Sequence, residues 1–300
     1  MERYSVHLKL LGMAVLWGAS WPMGRMLGQS LPPLTGGAVR FVLASVLLLG
    51  WLFARSRFAT LAALSARQWL GLAVAASVGV CGYAVFFMLG LQEMPAGKAA
   101  VVVAVNPVLT LLLATWFFGE RLNAKILAGM LLAVGGAIMV VTQGQPLTVL
   151  SGGINAGEWL IFGCVVCWAA YTLIGRAVLR GIDALTVTAA TSFIGALMLS
   201  AVALWTDGMP FEAIAAMDGR GWTALAWLVI GATVLAYAWY FEGVKTLGAG
   251  SAAAYITLVP IFGVLSSAWF LGEPLHISLV AGCAAAVGGM TLMRYGQKAV

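Results

Sequence analysis

Charge is scarce in this chain. Only 9% of its 300 residues are Asp, Glu, Lys or Arg, against roughly 25% in a soluble globular domain. Hydrophobic residues make up 62%, and the mean hydropathy is +1.01. So few charges cannot cover the surface of a soluble fold of this length, which excludes soluble enzymes, nucleic-acid binders and disordered chains. Aspartate is scarcer still. Asp183, Asp207 and Asp218 all fall in loops, and Glu93, Glu120, Glu158, Glu242 and Glu273 fall at or near predicted helix ends. No carboxylate stands in the middle of an apolar run, which argues against a buried-acid proton relay. An H-E-x-x-H motif, a phosphate-binding P-loop and an Asp cluster are all missing, so neither ATP-driven work nor membrane-enzyme chemistry is indicated. The four cysteines, Cys81, Cys164, Cys167 and Cys283, lie inside apolar runs and read as reduced core residues. Cys164 and Cys167 form a C-x-x-C without the second pair or βαβ context that metal or redox chemistry needs. No cofactor and no metal are expected.

What is present is long apolar runs. They lack the ten-residue alternation of a membrane β-barrel and suit helices of about 20 residues crossing a bilayer. Ten spans emerge, numbered here in chain order: 8–27, 35–54, 68–90, 96–118, 124–142, 157–179, 186–206, 221–242, 250–271 and 276–294. The first is read as a retained helix and not a cleaved signal, because its apolar run continues through Trp21-Pro22-Met23-Gly24. The net charge of +6 is read by position. Arg3, Lys9, Arg55, Arg57, Arg67, Arg121, Lys125, Arg176, Arg180, Lys245, Arg294 and Lys298 fall on one side, and Arg25, Arg40, Lys98 and Arg220 near the other. The positive-inside rule then predicts cytoplasmic N- and C-termini.

The chain repeats itself at an offset of 153. Pro107 meets Pro260, Trp116-Phe117 meets Trp269-Phe270, Gly119-Glu120 meets Gly272-Glu273, and Ala133-Val134-Gly135-Gly136 meets Ala286-Val287-Gly288-Gly289. Trp17 and Gly24-Arg25 meet Trp168 and Gly175-Arg176 at an offset of 151. Spans 1–5 therefore correspond to spans 6–10, with residues 1–145 and 146–300 as the two repeats of one membrane domain. Five spans is an odd number, so the second repeat enters the membrane upside down. Inverted repeats with a midplane site at their interface are a signature of secondary transporters.

Several residues are candidates for that site. Pro107 and Pro260 free the carbonyls of Val103 and Ile256 at equivalent depths, which predicts hinge or gating points beside a pathway. Asn106 brings an amide to membrane depth, where it binds either a solute or another helix. Trp17, Tyr83, Phe87, Trp168, Tyr171, Tyr237, Tyr240 and Tyr255 place aromatic rings within spans, and the Tyr hydroxyls need polar partners there. Such a cavity would take apolar or aromatic organic solutes. Glu120 and Glu273 read as caps or gate contacts. Lys98 could attract an anion but is expected to snorkel to the surface. Small residues recur at Gly129, Ala133 and Ala137 and at Ala281, Ala285 and Gly289, which suits close packing between halves or between protomers. A monomer in membrane lipid is the working expectation, with a homodimer through these stripes as the alternative.

The sequence resembles the drug/metabolite transporter superfamily in its ten-helix EamA-type branch. The resemblance rests on Trp17-Gly18-Ala19-Ser20-Trp21-Pro22, Arg40-Phe41, Asn106-Pro107, Phe118-Gly119-Glu120, Leu271-Gly272-Glu273-Pro274 and the Gly-Gly pairs at 135–136 and 288–289, and it covers essentially the whole chain. It implies an all-α polytopic fold of two inverted five-helix repeats and a bacterial inner-membrane exporter working by alternating access. It also implies a central cavity formed by spans 1, 3, 4, 6, 8 and 9, and brings Ser20 and Trp21 into the candidate site. The sequence is similar, less decisively, to the aromatic amino acid exporter branch. The second repeat departs from the first in having Thr172-Leu173 where span 1 has Trp-Pro, so the two halves are not expected to bind substrate equivalently. The expected solutes are amino acids, aromatic ones included, moved by uniport. The alternative within the same superfamily is proton-driven export of drugs, nucleosides or other metabolites.

Overall fold

A computed structural model describes residues 2–55, 58–119, 122–145, 155–178, 181–247, 252 and 255–297. The described residues are helical, with no strand among them. Eight helices are long and apolar enough to cross a bilayer, and the shorter apolar helix Tyr255–Leu271 occupies the place of span 9. Span 1 is broken at Ala19 into Glu2–Gly18 and Ser20–Ser30. The polytopic ten-helix, two-repeat architecture expected from the sequence is thus the one found.

The two repeats share punctuation as well as sequence. Ser65 caps span 3 in a reciprocal box with Gln68, and Asp218, 153 residues on, caps span 8 by accepting from the Gly221 N–H at 2.8 Å. Short helices Phe58–Ala62 and Phe211–Ala215 precede these caps at the same offset. Spans 4 and 9 both end on a left-handed glycine, Gly119 at φ 67° and Gly272 at φ 65°. Spans 3 and 8 both widen into a π-helical segment, Ser77–Gly82 and Trp227–Leu235.

Packing obeys the same symmetry. Span 2 packs on 7, 4 on 9, 5 on 10, 3 on 6 and 8 on 1. Exchanging each span for its counterpart five places along leaves that set of pairs unchanged, as a two-fold axis in the membrane plane requires. The closest crossing is that of spans 5 and 10, Ala124–Val141 and Ile277–Gln297. A Cβ at Gly289 would stand 2.5 Å from the backbone of both Ala133 and Gly129, and one at Gly136 would stand 2.5 Å from the Gly282 carbonyl. The small-residue stripe of span 5 packs as expected. On span 10 the packed face is Gly282, Ala286 and Gly289, one residue out of register from the expected Ala281 and Ala285. The repeat offset maps these three onto Gly129, Ala133 and Gly136, so the symmetry picks the face.

Outward-facing apolar side chains such as Val46, Leu131, Leu197 and Leu265 are exposed where lipid tails would cover them. The repeat mates Trp116 and Trp269 are exposed at the ends of spans 4 and 9, as interfacial anchors.

Candidate functional site

One large cavity, about 560 Å³, opens at the interface of the two repeats. Its size lies within the range of small-molecule sites. Four backbone irregularities shape it. In span 4 the helix tightens over Val101–Val105, where Ala104 and Val105 donate to carbonyls only three residues back, and then restarts at Asn106 with Pro107 in its first turn. Span 9 repeats this with a 3₁₀ turn, Tyr255–Leu258, before Val259-Pro260. In span 4 the expected kink is therefore a short interruption of the α-helix, and in span 9 the α-helix starts at Val259 directly after the 3₁₀ turn. Val103, Asn106, Pro107, Ile256 and Pro260 all line the cavity. In spans 3 and 8 the π segments insert an extra residue per turn just before Tyr83 and Tyr237. That re-aims the following helix, and both tyrosines reach the cavity wall.

Six aromatic rings stand on the wall. Trp21 packs on Phe87 at 5.0 Å, Phe87 stacks on Tyr83 at 6.1 Å, and Tyr83 meets Trp168 edge-on at 6.0 Å. Trp17 meets Tyr237 edge-on at 5.4 Å. The Trp17 indole donates to the Ala232 carbonyl at 2.9 Å, inside the π segment, and the Trp227 indole donates back to the Leu16 carbonyl at 3.2 Å. These bonds fix Trp17 as a rigid wall. Ser20 also lines the cavity, and its hydroxyl donates to the Leu16 carbonyl at 2.9 Å. Thr172 and Leu173, the second repeat's replacement for Trp-Pro, line it too.

Of the expected aromatic candidates, Trp17, Trp21, Tyr83, Phe87, Trp168 and Tyr237 stand on the cavity, as do Ser20 and Asn106. Three tyrosines do not. Tyr171 turns onto Gly79, where its ring fills the space of a missing side chain. Tyr240 packs behind Trp17 at 5.6 Å. Tyr255 points to the start of span 1, where its hydroxyl bonds His7 Nδ1 at 2.6 Å. Glu120 lies outside the described residues.

The cavity is one-sided. At one end it is lined by Met293, Arg294 and Gln297 in the last turns of span 10, on the face where span 1 begins. Toward the other face it is stopped by a buried plug that includes Trp21, Met23, Leu27, Phe87, Met88 and Leu91. Beyond the plug that face is latched. Glu273 accepts from the Ala96 and Gly97 N–H groups, 2.7 and 2.9 Å, and so caps span 4 from the opposite repeat. Lys98 forms a buried ion pair with Glu158 of span 6. Arg25 donates to the Met94 carbonyl, and Asp207 of span 7 accepts from the Thr35 N–H of span 2 at 2.9 Å. Lys98 therefore neither snorkels nor reaches the cavity.

From the sequence Arg40 reads as a topology signal. It stands about 10 Å along span 2 from Pro33, at 1.5 Å per residue, and lines the cavity. The available signal was its position inside an apolar run.

The comparisons agree with this architecture. The EamA-like transporter family matches at residues 5–142 and 155–295. The chain is 28% identical to the uncharacterized transporter YyaM of Bacillus subtilis, over 97% of this chain and 93% of that one. It is 26% identical to a probable terminal-alkyne amino-acid exporter of Streptantibioticus cattleyicolor, over 74% of this chain and 72% of that one. A crystal structure at 22% identity shares the fold, with a TM-score of 0.65 over 97% of each chain. A family match in each half, covering most of the chain, makes this multi-pass membrane protein a member of the EamA-like transporter family.

Proposed function

We propose that the chain exports small organic solutes, foremost amino acids including aromatic ones, across the bacterial inner membrane as a uniporter. The single observation that carries this reading is the one-sided, aromatic-walled cavity at the interface of the repeats, with a latched face opposite. In this reading residues 1–145 and 146–300 rock against each other, and Pro107 and Pro260 lie where the broken spans bend. Trp17, Ser20, Trp21, Tyr83, Phe87, Asn106, Trp168 and Tyr237 contact the solute. Both termini are cytoplasmic, so the open face is the inner one. The protein acts as a monomer, since the small-residue faces of spans 5 and 10 are consumed within one chain. The described residues that line the cavity include no carboxylate, which supports uniport over proton antiport. The relative named as an amino-acid exporter supports the substrate class.

Proteoliposomes loaded with radiolabelled neutral amino acids, with pH and voltage clamped, test this. The expected result is efflux down the solute gradient alone, saturable and competed by phenylalanine or tryptophan. Efflux that requires an imposed proton gradient overturns uniport, and a panel in which no amino acid moves or competes overturns the substrate class.

A further inference from the structure

We propose that Arg40 is the carboxylate-binding residue of the cavity, so that the transported solutes carry a carboxylate which its guanidinium takes as a bidentate pair. This rests on the reading above that the cavity is the transport site. It adds a residue, on a span outside the six expected to form the cavity, and a chemical requirement on the solute.

Arg40 is short of hydrogen-bond partners. Its guanidinium carbon lies 4.9 Å from the Phe41 ring centroid and 5.9 Å from that of Phe87. These contacts hold the cation against aromatic faces. They leave its in-plane N–H donors unanswered: Nε is buried and has no hydrogen-bond partner among the described residues. The titratable groups that face it are Tyr83 and Tyr237, with no carboxylate among them. Three other cations are matched among the described residues. Lys9 pairs with Glu242, Lys98 with Glu158, and Arg25 bonds the Met94 carbonyl. An unpaired guanidinium at this depth is costly to keep, and its fork fits a planar carboxylate in a way a lysine does not. Arg294 also lines the cavity, at its open end; the cation held beside Phe87 is Arg40, and its single charge suits a monoanionic carboxylate better than a phosphate dianion.

A second orphan has the opposite need. Asn106 Oδ1 is buried on the same cavity and lacks a donor. A zwitterion answers both, its carboxylate accepting from Arg40 and its ammonium donating to Asn106.

The test compares binding and counterflow of phenylalanine, phenylalaninamide, phenethylamine and phenyl phosphate in the wild type, Arg40→Lys and Arg40→Gln. The expected result is tight binding of the acid alone by the wild type. Arg40→Gln should weaken the acid at least about 30-fold and bind acid and amide equally, and Arg40→Lys should fall between. Equal acid binding by wild type and Arg40→Gln, equal competition by amide and acid in the wild type, or a preference for the phosphate ester overturns the proposal. If none of these compounds binds, the amino-acid reading fails, and the arginine is judged on the wild-type protein by labelling with phenylglyoxal mapped by mass spectrometry. Protection of Arg40 by benzoate but not by benzylamine upholds the proposal. Equal protection by both, protection by neither, or no labelling of Arg40 overturns it.

Discussion

A valine at Gly289 is expected to stop the chain from accumulating as folded protein, and a valine at Gly288 to leave it intact. The two positions are adjacent on span 10 and differ in one respect. A Cβ at Gly289 meets the backbones of Gly129 and Ala133 at 2.5 Å, whereas one at Gly288 meets only the end of the Leu132 side chain at 3.7 Å. Backbone cannot swing aside as a side chain can, so spans 5 and 10 would have to part. In a bilayer there is little hydrophobic force to draw them together again, because close packing is what holds such helices. Overpacking costs about 1–3 kcal/mol even where side chains absorb it, and here backbone must. Gly289→Ala should show the milder form as a lowered melting temperature, with Gly288→Ala and Gly135→Ala as neutral controls. Fluorescence-detected size exclusion and thermal melting of these variants check this. Equal behaviour of the Gly288 and Gly289 variants would sink the account of the crossing.

The second large effect is expected at the latch. Glu158→Gln leaves Lys98 with no counter-charge at a site where the side chains are 14% and 4% exposed. Breaking one partner of a buried pair costs about 3–5 kcal/mol. That cost falls on the state in which the latch is closed. The population should therefore shift by more than about a hundredfold toward the state with that face open, and the melting temperature should drop. Replacing both partners, Lys98→Met with Glu158→Leu, removes the stranded charge and should recover most of the stability. A double variant no more stable than Glu158→Gln would show that the pair is not an isolated, buried coupling.

Much of this fold is legible in the amino-acid sequence. The apolar runs locate the spans, and the aligned Pro, Trp-Phe and Gly-Glu pairs locate the repeat, because a lipid environment makes composition follow depth. The prolines mark the broken helices of spans 4 and 9 to within a turn. The π segments are not legible, since Ser77–Gly82 and Trp227–Leu235 carry no residue signature that separates a wide turn from an ordinary one. Their effect is rotational, which is why Tyr237 and Tyr240, both after the π segment of span 8, can be assigned to that span but not to a face. Tyr83 and Tyr237 reach the cavity, and Tyr171, Tyr240 and Tyr255 do not. Arg40 is misread for a different reason. A cation near a span end is usually topological, and only the three-dimensional course of span 2 beside Phe87 shows it facing inward. Glu273 is recognisable as a cap. That it caps span 4, in the other repeat, follows from the pairing of spans 4 and 9.

Alternating access requires that this cavity serve each face in turn. With Cys81, Cys164, Cys167 and Cys283 replaced by alanine, Ser20→Cys puts one thiol midway along span 1 on the cavity wall. A membrane-impermeant thiol reagent is then applied from each side of oriented membranes. Without solute, labelling is expected only from the face that carries the start of span 1. Under amino-acid counterflow, labelling from the opposite face should appear and rise with transport rate. Labelling from both faces alike without solute, or no labelling from the opposite face during active transport, would contradict the account.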